Sequence, residues 1–518
     1  MPRTVANLPA RALVLVRSFG RPLDPRRRGR ARSLAPSRGR LEIPRDRASV
    51  ALAALLGVGL LLRVYFLLVW SPGLTGFSDS GIYFQDAVSS LWTDPTRTVG
   101  YSMFLRLLHG IAPHLILVII VQHALGLLAA VLIFLAVRRC GGPRGLGLAP
   151  AAIIALGGDE LFLEHAALSD ALFIFLISAM LYCTVRASQG RARWAALAGL
   201  CAGLGVWDRG AGIPMIALIA LWLLFNAGRP TRRTIAVCVL SLVVSLATVG
   251  GYIEWRHAAS GLSGLTTNGS WDLYGRVAPW ADCTKFTPPP GTQRLCETTP
   301  PSRRGSRDIS YYIYGGASPA VKLVGPAYLV SKYPHAMVLL QKWSEAAILG
   351  QPLDYLHAVW LDTIRLVDPG HRSYGESSAN ELIAYLLYGP DLHSGVNEFV
   401  TVWQRALYPH DSRAHHGDIA PLKEWERITR ADGAWMVILV ALCLAGPWLL
   451  SGRPRAGMVL FAVTALVLLF FPLFTHGYDY RYVIPAFAPL VGAGALAAWG
   501  LVVRVRSKLR KEIGRAHV

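Results

Sequence analysis

Residues 49–86 read SVALAALLGVGLLLRVYFLLVW, then SPGLTG, then FSDSGIYFQD. The apolar run 49–70 is broken by one charge, Arg63. A helix needs roughly 20 such residues to cross a bilayer, so this run predicts a first span. The loop that follows brings Asp79 to the membrane surface within a few residues of the span's end. A carboxylate at that boundary can take a proton from a hydroxyl presented at the lipid edge.

Working outward, the same pattern recurs. The chain has 518 residues, 53% of them hydrophobic, and a mean hydropathy of +0.40. Apolar runs predict about ten spans, at 49–70, 112–137, 149–163, 167–185, 194–208, 211–227, 234–254, 434–451, 457–475 and 481–503. The fold class that follows is an all-α polytopic membrane protein of about ten or more transmembrane helices. The net charge is +21. Its placement argues against nucleic acid as a partner. Residues 1–49 hold 13 arginines against three acids, and further basic residues sit in 138–148, 186–193, 228–233, 452–456 and 504–518. With ten spans these segments share one side, and Lys/Arg excess marks the cytoplasmic side. Both termini are then expected in the cytoplasm of a multi-pass cell-membrane protein, with the first run acting as a signal anchor.

Five parts follow: a basic, disordered tail (1–48), a seven-span module (49–254), an extracytoplasmic cap (255–433), a three-span module (434–503) and a short basic tail (504–518). The cap opens on Gly/Pro-rich loop and turns amphipathic-helical over 334–366, so a mainly helical or mixed cap is expected. Of seven cysteines only Cys283 and Cys296 fall in the cap, where an oxidising compartment lets them pair. Short interfacial helices are expected over 71–111, where Tyr83, Trp92 and Tyr101 supply interfacial aromatics.

Charged residues at the cap-side ends of the spans are the candidate site. Asp79 and Asp86 lie seven residues apart, on one face if helical, as a catalytic carboxylate and a second positioning group. Arg63 either faces a polar partner inside the bundle or snorkels to the interface. Glu164, His165 and Asp170 lie at the turn between two spans, as substrate contacts or, for Asp170, a helix-start acid. Arg209 either pairs with its neighbour Asp208 or binds substrate. Arg481, followed by Tyr482, starts the last span, where a guanidinium can take a phosphate bidentately or anchor the helix at the interface. His410, Asp411, His415, His416 and Asp418 have metal-ligand chemistry, although a solvated loop is the plainer account.

Taken in order, Arg63, Asp79 with Tyr83, Gly100-Tyr101-x-x-Phe104-Leu105, Leu168-Ser169-Asp170-x-Leu172-Phe173, Asp208-Arg209-Gly210 and Arg481-Tyr482-x-x-Pro485 resemble the GT-C-fold polytopic glycosyltransferases. The likeness is to the enzymes related to protein O-mannosyltransferases and the aminoarabinose transferase, which use lipid-linked sugars. The resemblance implies transfer of a hexose or pentose from a polyprenyl-phosphate donor to a hydroxyl of a glycan, lipid or protein acceptor on the outer face. Asp79 would be the base of an inverting displacement, with Arg481 and Arg63 on the donor phosphate. Many relatives carry two adjacent acids where Asp79 is followed by Ser80. The second acid is then Asp86, Glu164 or Asp170, or is missing, which leaves a divalent cation as an open requirement. Two other classes stay open: a transporter or flippase for a lipid-linked glycan, and a non-catalytic membrane scaffold.

Overall fold

The computed structural model describes residues 46–516 apart from 227, 229, 306, 308, 326–334, 368–381, 384–385, 388–395, 412–414 and 431–432. The tail expected over 1–48 falls outside the described residues as far as residue 45. The chain begins with α1 (Arg47–Val69), β1 (Trp70–Ser71), α2 (Ser78–Val88), α3 (Gly100–His109) and α4 (Leu115–Arg139). Next come α5 (Leu148–Leu156), α6 (Gly158–Glu164), α7 (Asp170–Ala187), α8 (Ala192–Asp208), α9 (Ile213–Phe225) and α10 (Arg232–Ser260). The cap holds α11 (Asn268–Val277), α12 (Ile309–Tyr314), α13 (Pro319–Val324), α14 (His335–Gly350), α15 (Pro352–Arg365), α16 (Val396–Leu407), β2 (His415–His416) and α17 (Ala420–Thr429). Three helices close the chain: α18 (Ala434–Leu449), α19 (Gly452–Thr475) and α20 (Tyr480–Ala516).

By length and apolarity alone, fewer helices than the ten expected qualify as spans. Among the described residues six helices (α1, α4, α7, α10, α19 and α20) are long and apolar enough to cross a membrane, and α5 with α6 makes a seventh if the bent pair is one span. The expected spans 194–208, 211–227 and 434–451 are helices α8, α9 and α18, of 17, 13 and 16 residues. At about 1.5 Å rise per residue they are shorter than a typical span of about 20 residues, although α8 still runs from the far end of α7 back to the chamber at Asp208. Apolar runs reveal helices, but loop and turn residues set where each stops.

Local chemistry fixes the helix ends. The Asp46 carboxylate accepts the Ser49 N–H (2.9 Å) at the start of α1, and the Thr231 hydroxyl accepts the Thr234 N–H (3.1 Å) at the start of α10. Gly261, at φ 72°, closes α10 in the left-handed conformation. The α5–α6 pair bends by 49° where Gly157 takes an extended backbone. The bend frees backbone groups, and α17 satisfies them. The Trp425 indole donates to the Leu156 carbonyl (2.7 Å), and the Thr429 hydroxyl accepts the Gly158 N–H (2.9 Å). This approach needs glycine at 158, because a Cβ there would lie 2.2 Å from Glu426 Cα. At the other end of the chain, α20 runs through the boundary expected at 503 to Ala516. Its Arg, Lys, Leu and Glu residues favour helix, and extending an existing helix needs no new nucleus.

The bundle packs α4 on α7, α7 on α8, α8 on α10, and α19 and α18 on α20. The only ladder among the described residues is β1 with β2, antiparallel, with Trp70 opposite His416. The other regular elements of the described cap are helices joined by loops. Its own core gathers Trp271, Tyr274, Tyr312, Leu340 and Trp343. A buried Arg276–Asp362 ion pair (2.6 Å) ties α11 to α15, and the Tyr355 hydroxyl donates to the Phe474 carbonyl (2.8 Å), tying α15 to α19.

Cys283 and Cys296 form a disulfide within the cap, closing a loop of 13 residues. Loops of this length contribute about 3 kcal/mol in the chain-entropy model. Cys283→Ser, Cys296→Ser and the double variant should therefore melt at one common temperature below wild type, read by thermal unfolding in detergent. Additive losses would show that the two thiols do not act as a pair.

Candidate functional site

Four helix ends meet at the cap side of the bundle, and each brings one charge. Asp79 lies in the first turn of α2, and Asp170 is the first residue of α7. Carboxylates are favoured at both places by the helix dipole. Arg209 follows the last residue of α8. Arg481 lies in the first turn of α20, where a cation is disfavoured, so it needs acidic partners. The loop before α3 adds Arg97.

These five groups alternate in sign. Arg97 donates to Asp79 Oδ1 through Nε (3.1 Å) and Nη2 (2.9 Å). Arg481 Nη1 donates to Asp79 Oδ2 (2.9 Å), while its Nε (2.9 Å) and Nη2 (2.8 Å) reach Asp170 Oδ2. Arg209 pairs with Asp170 Oδ1. The row runs Arg97–Asp79–Arg481–Asp170–Arg209, with three guanidiniums against two carboxylates. Aromatic rings back two of the cations: Arg481 lies 4.9 Å from the Phe77 ring centroid and Arg209 5.2 Å from that of Tyr482. Burial alone would raise the Asp79 carboxyl, but Arg97 and then Arg481 outweigh it and hold it well below the ordinary carboxylate range.

The row opens on a cavity of about 590 Å³. Asp79, Tyr83, Arg97, Asp208, Arg209, Arg481 and Tyr482 line it on the bundle side. Asn268, Asp272 and Gln341 close it from the cap, and Leu468, Phe471 and Pro472 of α19 give it an apolar wall. Charge, sugar-sized space and an apolar wall therefore share one chamber.

Five residues proposed from the sequence line this chamber or pair into its row: Asp79, Asp170, Arg209, Arg481 and Tyr482. Arg63, Glu164 and His165 gather elsewhere. Arg63 makes a bidentate pair with Glu164 (2.7 and 2.6 Å) and also donates to the carbonyls of Gly59 (2.9 Å) and Ala155 (2.7 Å). His123 links Glu164 (3.0 Å) to His165 (3.1 Å), whose other nitrogen meets the Trp70 carbonyl (2.9 Å). Gly126 makes room, since a Cβ there would lie 1.8 Å from Glu164 Oε1. Arg63 thus faces a partner inside the bundle and does not snorkel. Asp86 is fully buried and accepts the Asp94 N–H (3.0 Å), with its second oxygen unpaired. Burial pushes its carboxyl up to about 7, the Asp94 N–H opposing and the Asp94 charge adding.

Two chamber residues escape the sequence reading. Arg97 looks like any loop arginine, and its signal is only that it shares a short loop with Asp79. Asp208 looks like the partner of Arg209, but Arg209 turns to Asp170 instead. The His/Asp run 410–418 serves the fold. Asp411 accepts the Leu115 N–H (2.5 Å) at the start of α4 and meets His114 (3.1 Å), and His416 stacks on Trp70. No group of three metal-ligating side chains occurs among the described residues.

Residues 97–255 match the family model of the dolichyl-phosphate-mannose-protein mannosyltransferases. That segment carries Arg97, Asp170, Asp208 and Arg209, and it agrees with the GT-C resemblance. No curated protein matches. Among solved structures, the chain is similar to the apo oligosaccharyltransferase of Archaeoglobus fulgidus, at 14% identity and a TM-score of 0.42 over 90% of this chain and 52% of that one. It is similar also to AglB of the same organism in complex with an inhibitory peptide and a dolichol-phosphate, at 15% identity, a TM-score of 0.42 and the same coverage. The chain spans about half the length of these structures.

Two stability measurements check the buried charges. Breaking a buried ion pair from one side costs about 3–5 kcal/mol, because the other charge is left behind. Glu164→Gln should lower the melting temperature strongly, and Arg63→Met with Glu164→Leu should recover much of the loss. For Asp86 the folded carboxyl titrates near 7, against 3.8 as the ordinary value. Between these values the folded state holds the proton that the unfolded state has lost, so stability falls as pH rises through this window and levels off above it. Asp86→Asn should thus gain stability over wild type at pH 8 and little at pH 4. A pH-independent difference would contradict the assignment.

Proposed function

We propose that this chain is an integral membrane glycosyltransferase. It moves a hexosyl or pentosyl group from a polyprenyl-phosphate donor to the hydroxyl of a glycan, lipid or protein acceptor. The observation that carries this reading is the row of three arginines and two aspartates on the chamber wall. Its excess of one positive charge matches the single charge of a phosphodiester. The row also lies where spans end, and a polyprenyl chain gains about 0.8 kcal/mol per buried CH₂ and so cannot leave the bilayer. The donor's phosphate must therefore be met at that level.

Arg97, Arg209 and Arg481 all line the chamber, and a phosphate can accept from guanidiniums in place of the carboxylates that hold them now. The acceptor oxygen bonds to the anomeric carbon as the bond from that carbon to the phosphate oxygen breaks. The electron pair passes to the phosphate, where fixed guanidiniums stabilise the growing charge. A single displacement of this kind inverts the anomeric centre. The acceptor proton needs a carboxylate, and the bundle side of the chamber offers Asp79. Asn268, Asp272 and Gln341 close the chamber from the cap, which supports a part for the cap in admitting the acceptor.

Sidedness follows the same reading. Arg138 and Arg139 end α4, Arg186 ends α7, and Arg232 and Arg233 begin α10, all away from the cap. This supports cytoplasmic termini and an extracytoplasmic chamber.

Removing one preorganised charge contact typically costs about 10²–10³ in turnover. Arg481→Ala should lose at least that much in the release of polyprenyl phosphate from polyprenyl-phosphate sugars. Arg481→Lys should lose nearly as much, because a point charge cannot span Asp79 and Asp170 together. Full activity in Arg481→Ala would remove the row from the reaction.

A further inference from the structure

The cap carries a helix whose outward face is apolar. Along α15, Leu353, Leu356, Trp360 and Ile364 recur every three or four residues, so they share one face. That face is open: Leu353 is 78% exposed, Trp360 60% and Leu356 52%. His357 lies at its margin. The opposite face is spent on the protein. Val359 and Asp362 are buried there, Asp362 meets Arg276 of α11 (2.6 Å), and the Tyr355 hydroxyl donates to the Phe474 carbonyl (2.8 Å). Charge turned inward and large apolar side chains turned outward reverse the order expected of a helix that faces water. A contiguous apolar patch of this kind marks a contact surface.

The level of α15 identifies the partner. Phe474 lies in the last turn of α19, a helix long and apolar enough to span the membrane, and is itself 40% exposed. The bond from Tyr355 to Phe474 therefore sets α15 where a span leaves the hydrocarbon, and the exposed side chains of a span meet lipid. The apolar face of α15 continues that surface. Amphipathic helices lie along this boundary with their apolar side among the acyl chains, and tryptophan is favoured at headgroup level.

We propose that α15 lies on the bilayer at the cap side, with Leu353, Leu356, Trp360 and Ile364 in lipid. The membrane surface is then part of what holds the cap over the chamber. Through the Arg276–Asp362 pair α15 grips α11, whose Asn268 and Asp272 line the chamber. The proposal needs only that the chain spans a membrane and does not depend on the reaction it performs.

The test uses the full-length protein in phosphatidylcholine nanodiscs, with acyl chains either unmodified or brominated, because bromine quenches tryptophan on contact. The chain holds 15 tryptophans, so Trp360 is read as the fluorescence difference between wild type and Trp360→Phe, a conservative change at an exposed position. That difference should fall strongly when bromine sits near the headgroup end of the chains, and less when it sits near their free ends. Quenching by acrylamide from the water, with none by brominated lipid, would put this face in solvent and overturn the proposal. Quenching by neither would mean that protein covers the face, a second copy or another chain, and would overturn it equally. Stronger quenching from the chain ends would sink α15 into the hydrocarbon and contradict its place at the surface.

Discussion

The structure at the cap side depends on one constraint: Arg481 and Asp170, at the heart of a row of five charges, are held away from water and need close opposite charges. Moving an ion into a protein interior costs several kcal/mol even after relaxation, and only close opposite charges with good geometry repay it. The row meets this condition by alternation. Each inner member touches two opposite charges, and Arg481, 2% exposed, lies at the centre. The arrangement fixes more than charge. Arg481 can reach Asp79 and Asp170 together only if the starts of α2, α7 and α20 stand side by side. Three segments far apart in sequence are set in place by one guanidinium.

Buried ion pairs are poor stabilisers compared with well-packed apolar residues. A row of this size is thus better understood by what it holds ready than by what it adds to stability. It presents preorganised donors with one positive charge to spare, beside an apolar wall and below a closing cap. The second network, from Arg63 through Glu164 and His123 to His165, has a different character. Its groups are spent on each other and on backbone carbonyls, and it braces α1, α4 and the α5–α6 pair. Two sets of buried charges in one bundle therefore do different work, and the distinction lies in whether any polar atom faces the chamber.

Much of this was legible in the sequence, for definite reasons. The helices follow from apolar runs, and Asp79, Asp170, Arg209 and Arg481 stand out because charges at span ends are few. The pairing of Cys283 with Cys296 follows because the cap holds no other cysteine. Partner choice was not legible. Arg209 has Asp208 beside it in sequence but selects Asp170, since successive residues at a helix end point apart. That choice is what leaves Asp208 unpaired. Exact helix ends were not legible either, because a run such as 211–227 does not show that the helix stops at Phe225. The bend between α5 and α6 was invisible for a related reason: it is set by the approach of Glu426, more than 260 residues away in the chain.

The central claim is that the arginine row receives the donor's phosphate. A structure of the protein with decaprenyl phosphate bound tests it most directly. The account predicts the phosphate within hydrogen-bond distance of Arg481 and of Arg97 or Arg209, with at least one Asp79 contact given up and the lipid chain running along the α19 wall. A phosphate bound away from these guanidiniums, with the Asp79–Arg481–Asp170 contacts unchanged, would contradict it.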